Sequence, residues 1–231
     1  MTATNDVVFL LDVDNTLLDN DEVARDLQRH LTDAFGSECQ QRYWQIFEDL
    51  RAELGYADYL GALQRYRIEH PRDPHLLRIS LFLVDYPFRD RVYPGVPELL
   101  QRLRGLGTTV ILSDGDVVFQ PLKVARSGLW DMVEGRALIY VHKEQMLDDV
   151  ERRYPARHYV MVDDKLRILA AMKQAWGSRL TTVFPRQGHY ANDPALVARY
   201  PAADISIGHI GDLGRYDLSA LLTAAAAAGR H

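Results

Sequence analysis

Cysteine is nearly missing from this chain and lysine is scarce. Cys39 is the only cysteine among 231 residues, which excludes an intramolecular disulfide and a cysteine-cluster metal site. A chain without disulfides fits a reducing compartment. Positive charge is not in excess either. The formal net charge of −5 offers no basic footprint for nucleic acid. Long apolar runs are also lacking: the longest early one, Val7 to Leu11, is far shorter than a membrane span or a signal-peptide core and ends directly in Asp12. These absences lead us to expect a cytoplasmic protein, mature from its first residue, that engages neither nucleic acid nor membrane. A homo-oligomer is left open.

What is present supports a sizeable core. The chain is 47% hydrophobic and 26% charged, and its length suits one large domain or a core domain with a smaller insertion. The run Val7–Leu11 reads as a fully buried strand. Similar signals recur at Thr108–Leu112, Ala137–Val141, His158–Val162 and Leu180–Phe184, with a weaker one at Asp204–Ile207. Helices are expected between them, over Pro97–Leu106, Val117–Arg126, Glu144–Arg153, Leu166–Trp176 and Ser219–Ala228. Alternating strands and helices predict an α/β fold, a Rossmann-like parallel sheet flanked by helices.

Residues 20–91 break that rhythm. Val23, Leu27, Leu31 and Ala34 follow helical spacing, as do Tyr43, Phe47, Leu50 and Leu54. Tyr59, Leu63 and Tyr66 continue it, and Leu77, Leu81 and Val84 are expected to close it. We therefore expect an all-helical subdomain inserted after the first strand, with residues 1–19 and 92–231 forming the core.

The chemistry-bearing residues cluster at strand ends. Asp12 and Asp14 follow the first strand, two residues apart and so able to share a face, at the edge where open parallel sheets bind ligands. Two close carboxylates repel, a cost normally offset by a cation or a proton. The competing reading is a solvated acidic turn. The second strand ends in Ser113-Asp114-Gly115, a hydroxyl and a turn whose amides can face an anion, although Ser113 alone reads more readily as a turn or cap residue. Only four of the 27 basic residues are lysines. Lys123 and Lys173 lie within helices and are expected to face solvent. Lys143 stands at a strand-to-helix turn, where an ammonium can reach a phosphate, and Lys165 is its rival. The fourth strand ends in Asp163-Asp164, hard oxygen donors suited to Mg²⁺ or, alternatively, an acidic start to the next helix.

In this order the four features resemble the haloacid dehalogenase-like hydrolase superfamily over essentially the whole chain. Asp12-Val13-Asp14-Asn15-Thr16 looks like its first motif, Ser113 its second, Lys143 its third and Asp163-Asp164 its fourth. Tyr93-Pro94-Gly95-Val96-Pro97-Glu98 resembles the family's return from a helical cap. The resemblance implies a Mg²⁺-dependent phosphatase in which Asp12 is the nucleophile, forming an aspartyl-phosphate, and Asp14 the general acid and base. It assigns phosphate binding to Thr16 (by holding the loop), Ser113, the Asp114 amide and Lys143. Mg²⁺ would be held by the Asp12 carboxylate, the Asp14 carbonyl and the Asp164 carboxylate, with Asp163 supporting Lys143 or the hydrated ion. Dehalogenating and phosphonate-cleaving members lack an aspartate at the Asp14 position, so its presence favours phosphate esters. The expected partner is a small phosphorylated metabolite such as a sugar phosphate or nucleotide. A phosphotransferase or phosphomutase would use the same residues, and a non-catalytic binding protein could share the fold. Trp44, Tyr59, Arg65, Arg67 and His70 read as packing or surface residues, and the eight histidines show no metal-ligand spacing.

Overall fold

The structure, a computed structural model, describes residues 5–217; the helix expected over Ser219–Ala228 lies outside them. Six strands form one parallel sheet: β1 (Asn5–Leu11), β2 (Thr108–Asp114), β3 (Ala137–Tyr140), β4 (Ala156–Val162), β5 (Leu180–Pro185) and β6 (Ile205–Ile207), in the order β3-β2-β1-β4-β5-β6. All five pairings are parallel. The central strand shows why its apolar run does not alternate. Val7, Phe9 and Leu11 enter one core cluster and Val8 and Leu10 the other, because helices cover both faces.

After β1 come five α-helices before the sheet resumes, the first four being α1 (Asn20–Phe35), α2 (Ser37–Leu54), α3 (Tyr59–Glu69) and α4 (Leu76–Asp85). Asp19 caps α1 by accepting the Glu22 amide at 2.9 Å, and Asp58 caps α3 through the Gly61 amide at 2.7 Å. Val23, Leu27 and Leu31 of α1 are buried, as are Tyr43, Phe47 and Leu50 of α2 and Tyr59, Leu63 and Tyr66 of α3. In α4 the expected phase is wrong. Ile79 and Leu83 are buried, whereas Leu77 and Leu81 are exposed. That helix reads LLRISLFLVD, apolar on nearly every side, so spacing alone could not choose its inner face.

The remaining helices are α5 (Val96–Arg104), α6 (Phe119–Arg126), α7 (Leu129–Met132), α8 (Leu147–Arg153), α9 (Leu166–Trp176), α10 (Gly188–Asn192) and α11 (Pro194–Val197). The single helix expected over Glu144–Arg153 is instead a 3-10 turn, Lys143–Gln145, followed by α8. Among the described residues no helix is long and apolar enough to cross a membrane. The chain fills one side of β1 with β2 and β3, then crosses to β4 on the other. The order reverses at β1 and β4, which opens a crevice at their carboxyl ends.

Candidate active site

Asp12 stands one residue beyond β1, its amide still donating to the Val162 carbonyl of β4 at 3.0 Å. The chain then turns sharply. The Val13 carbonyl accepts the amides of Thr16, Leu17 and Leu18 at 3.2, 2.9 and 3.0 Å, and Asn15 takes a left-handed φ of 58°, a conformation that asparagine tolerates better than most residues. Buried Gln187, beyond β5, clamps this loop by donating to the Asn15 and Thr16 carbonyls at 3.0 and 2.9 Å. Gly188, at φ 76°, lies so close that an added Cβ would come within 2.5 Å of Asn15 Cβ. Only glycine combines that φ with that approach.

The strand ends converge on Asp12. Lys143 Nζ lies 2.5 Å from Asp12 Oδ1 and 2.6 Å from Asp163 Oδ2, and donates to the Leu112 carbonyl at 3.2 Å. Two of its N–H bonds are thereby donated, and the Asp163 contact is an ion pair to an oxygen without a hydrogen-bond partner. Ser113 Oγ donates to Asp12 Oδ1 at 3.3 Å and accepts from Gln120 Nε2 at 3.0 Å. Thr16 Oγ1 donates to Asp12 Oδ2 at 3.3 Å and accepts the Asp164 amide at 3.1 Å. Fully buried Thr16 therefore ties the β1 loop to the end of β4. The Asp114 carboxylate accepts the Lys143 amide at 2.7 Å. The Gly115 amide, expected to face an anion, is instead taken by the Tyr140 carbonyl at 2.9 Å, a continuation of the strand ladder.

Asp163 and Asp164 divide the two readings open to them. Asp163 Oδ1 accepts the Lys165 amide at 2.8 Å and so shapes the entry to α9. Both carboxylate oxygens of Asp164 are buried without a hydrogen-bond partner. One oxygen each from Asp12, Asp163 and Asp164 can lie within 4.8 Å of one another. Burial pushes the Asp164 carboxyl well above the usual range, with Lys165 opposing, and raises Asp163 to about 6 against the pull of Lys143. A buried carboxylate with no partner is costly, and hard anionic oxygens at this separation fit a small divalent cation. For Lys143, burial works against the charge, but Asp12, Asp163 and Asp114 overcome it and hold the pKa above its ordinary value.

Asp14 does not share Asp12's surroundings. Its side chain is 20% exposed and its Oδ1 lies 2.6 Å from Lys123 Nζ. Lys123 is only 1% exposed, which corrects the expectation that it faces solvent. It lies four residues after Phe119 and one before Val124, both buried, and that stripe in the sequence is the signal that could have revealed it. Lys173, also expected in solvent, is half-buried and pairs with Asp204 at 2.8 Å.

A cavity of about 320 Å³ opens beside Asp14 and Asp114, walled by Trp44 and Arg51 of α2 and by Lys165, His189 and Tyr190 from the sheet side. Tyr59 is buried, Arg65 pairs with Glu53 at the surface and His70 stacks on Tyr66; of the five read as packing or surface residues, Trp44 and Tyr59 reach the cavity wall. The Tyr190 ring carries the Lys165 ammonium at 4.9 Å and the Arg51 guanidinium at 5.4 Å. His189 Nδ1 lies 2.6 Å from Asp21 Oδ1, and that contact holds the Asp21 carboxyl below its usual value against burial. Gln187, His189 and Tyr190 were missed in the sequence because they follow β5, which carries no motif residue.

A family model described as haloacid dehalogenase-like hydrolase matches residues 7–175. A crystal structure of a protein described as a haloacid dehalogenase-like hydrolase, from Burkholderia xenovorans LB400, is 67% identical with a TM-score of 0.90, over 94% of this chain and 98% of that one. The L-2-haloacid dehalogenase from Xanthobacter autotrophicus is 20% identical with a TM-score of 0.61, over 93% and 98% of the two chains. A HAD-hydrolase from Bacillus subtilis bound to magnesium is 16% identical with a TM-score of 0.61, over 90% and 96%. The last two share the fold alone. No curated protein matches the chain.

Proposed function

The chain belongs to the haloacid dehalogenase-like hydrolases, and from that premise we propose that it hydrolyses small phosphomonoesters with Mg²⁺ bound, through an aspartyl-phosphate on Asp12. The observation that carries this reading is the pair of carboxylates in different settings: Asp12 buried among Lys143, Ser113 and Thr16, and Asp14 at the cavity wall on Lys123. Neighbours of this fold include a dehalogenase, so the leaving group decides between chemistries. A halide departs as a weak base and needs no proton. An alkoxide is a strong base and does need one, which a second carboxylate facing the cavity can supply.

In this mechanism Asp12 Oδ attacks phosphorus and the ester C–O–P bridge breaks on the phosphorus side. Protonated Asp14 gives its proton to the departing oxygen. As carboxylate, Asp14 then takes a proton from water that attacks the acyl phosphate, and phosphate leaves with Asp12 regenerated. Lys143 and Ser113 hold Asp12 in one orientation, which removes conformational freedom from the step. The Lys165 ammonium, over the Tyr190 ring and held charged chiefly by Asp164, is a cation at the cavity wall placed to meet an incoming anion. Asp12, Asp164 and the Asp14 carbonyl would hold Mg²⁺, which supplies charge neutralisation between an anionic nucleophile and an anionic ester. Residues 20–91, which supply Trp44 and Arg51 to the cavity, serve as a cap that excludes water from it.

The deciding experiment incubates the protein with Mg²⁺ and either a panel of phosphomonoesters or 2-chloropropionate. Release of inorganic phosphate and no chloride is expected. Chloride release without phosphate release would overturn the reading, and transfer to a second sugar with no free phosphate would make the protein a mutase.

Cation binding has its own signature. Because Asp163 and Asp164 have raised folded pKa values, the folded state keeps protons that the unfolded chain has already lost. Stability therefore falls as pH rises from the ordinary value of 3.8 through about 6. A bound cation replaces those protons. The gain in Tm from Mg²⁺ over EDTA should be near zero at acid pH and grow toward neutrality, to about 5–10 °C at saturation. A gain that is equally large at acid pH would remove these carboxylates as the cation site.

A further inference from the structure

We propose that Lys123 is the positioning residue for Asp14, fixing which oxygen of that carboxylate meets the substrate; this rests on the phosphatase reading above. Lys123 Nζ lies 2.6 Å from Asp14 Oδ1 and 2.9 Å from Asn20 Oδ1. Asn20 in turn donates to the Tyr59 hydroxyl at 3.4 Å, and Tyr43 donates to the Tyr59 carbonyl at 2.8 Å. The lysine stem runs beside Phe119, with Nζ 5.5 Å from that ring. One ammonium from α6 thus joins the loop after β1 to the start of α1 and, through Asn20, to α3.

Burying an ammonium is expensive unless its partners are well placed. A packing role at this position would be met by leucine or methionine without that cost. The chemistry of the contact points elsewhere. An ammonium only donates, so Asp14 Oδ1 is held as an acceptor and is the poorer seat for the acid proton. The proton is therefore favoured on Oδ2, the oxygen not held by Lys123, and Asp14 lines the cavity. General acid catalysis in the first half-reaction and base catalysis in the second both need that oxygen in the same place. Lys123 keeps it there without touching substrate.

The test separates this role from a merely structural one by leaving group. An aryl phosphate with a good leaving group needs little protonation, and an alkyl phosphate needs much. In Lys123→Met, kcat/KM for an alkyl phosphate should fall by about 10²-fold, the low end for a lost general acid, and for 4-nitrophenyl phosphate by less than about tenfold. Lys123→Arg should recover part of that difference. In an Asp14→Asn background Lys123→Met should add little further loss, because the two act as one unit. Equal losses on both esters, or losses that multiply across the double variant, would overturn the proposal. If Lys123→Met does not fold, Lys123→Gln reads the same ratio of rates. Should the wild type hydrolyse neither ester, the phosphatase reading fails first and this proposal falls with it.

Discussion

Asp12→Asn is expected to leave a folded protein whose phosphate release is slower by about 10⁴-fold or more, the scale on which losing a covalent nucleophile acts. The substitution is nearly isosteric. The amide oxygen can still accept from Lys143 and Ser113, which lie 2.5 and 3.3 Å from Asp12 Oδ1, so the packing around the site has little reason to change. What is lost is the anionic oxygen that attacks phosphorus. Steady-state phosphate release and mass spectrometry of the quenched enzyme check this together: phosphorylated protein should form in the wild type and not in the variant. Equal rates in the two proteins would remove Asp12 from the chemistry.

Lys143→Met should damage both activity and stability. Its ammonium lies between Asp12 and Asp163, both buried. Removing one partner of a buried ion pair strands the other charge, at a cost of about 3–5 kcal/mol. For a chain of this size that corresponds to a fall in Tm of about 6–20 °C. The deficit should depend on pH in a definite sense. Lys143 stabilises the fold where its partners are ionised, and Asp163 has its carboxyl raised to about 6, chiefly by burial. Without Lys143, whose charge lowers it, that carboxyl should titrate higher still; as pH falls Asp163 takes up a proton, the stranded charge disappears and the variant should approach the wild type. Thermal melts across the range from acid to neutral pH measure this. A deficit that stays constant would mean that Lys143 contributes packing rather than charge.

The two variants also differ in what they leave behind. Asp12→Asn removes a charge from a site already crowded with carboxylates, and Lys143→Met removes the cation that makes the crowding tolerable. A chain that keeps Asp12, Asp163 and Asp164 together in a buried position without that ammonium would need protons or a metal ion to stay folded. Mg²⁺ should therefore rescue part of the stability of Lys143→Met and very little of that of Asp12→Asn.

Much of the fold was legible in the sequence. A strand buried on both faces has no alternation to disguise it, and Val7–Leu11 could be recognised from its apolar continuity alone. Helix α9 was also bounded correctly, Leu166–Trp176, since apolar spacing and a following glycine agree. Where local rules conflicted, the reading failed. The uniformly apolar α4 allows two phases, and its spacing does not single out the buried pair Ile79 and Leu83. Lys143–Gln145 folds as a separate 3-10 turn, because its lysine is drawn inward to Asp12 and Asp163 rather than left on a helix surface.

The sequence by itself determined the alternating α/β order, the acidic and hydroxyl groups at the strand ends, and their membership in one family, because each depends on residues close together in the chain. Tertiary structure alone decided that Lys143 is buried between two carboxylates, that Lys123 turns inward to Asp14, and that Gln187 and Gly188 clamp the loop after β1. Apart from the Lys143–Asp163 pair, those contacts join segments separated by about 100 residues or more. A buried charge is placed by the partners that neutralise it, and no local pattern in a sequence states where those partners will be.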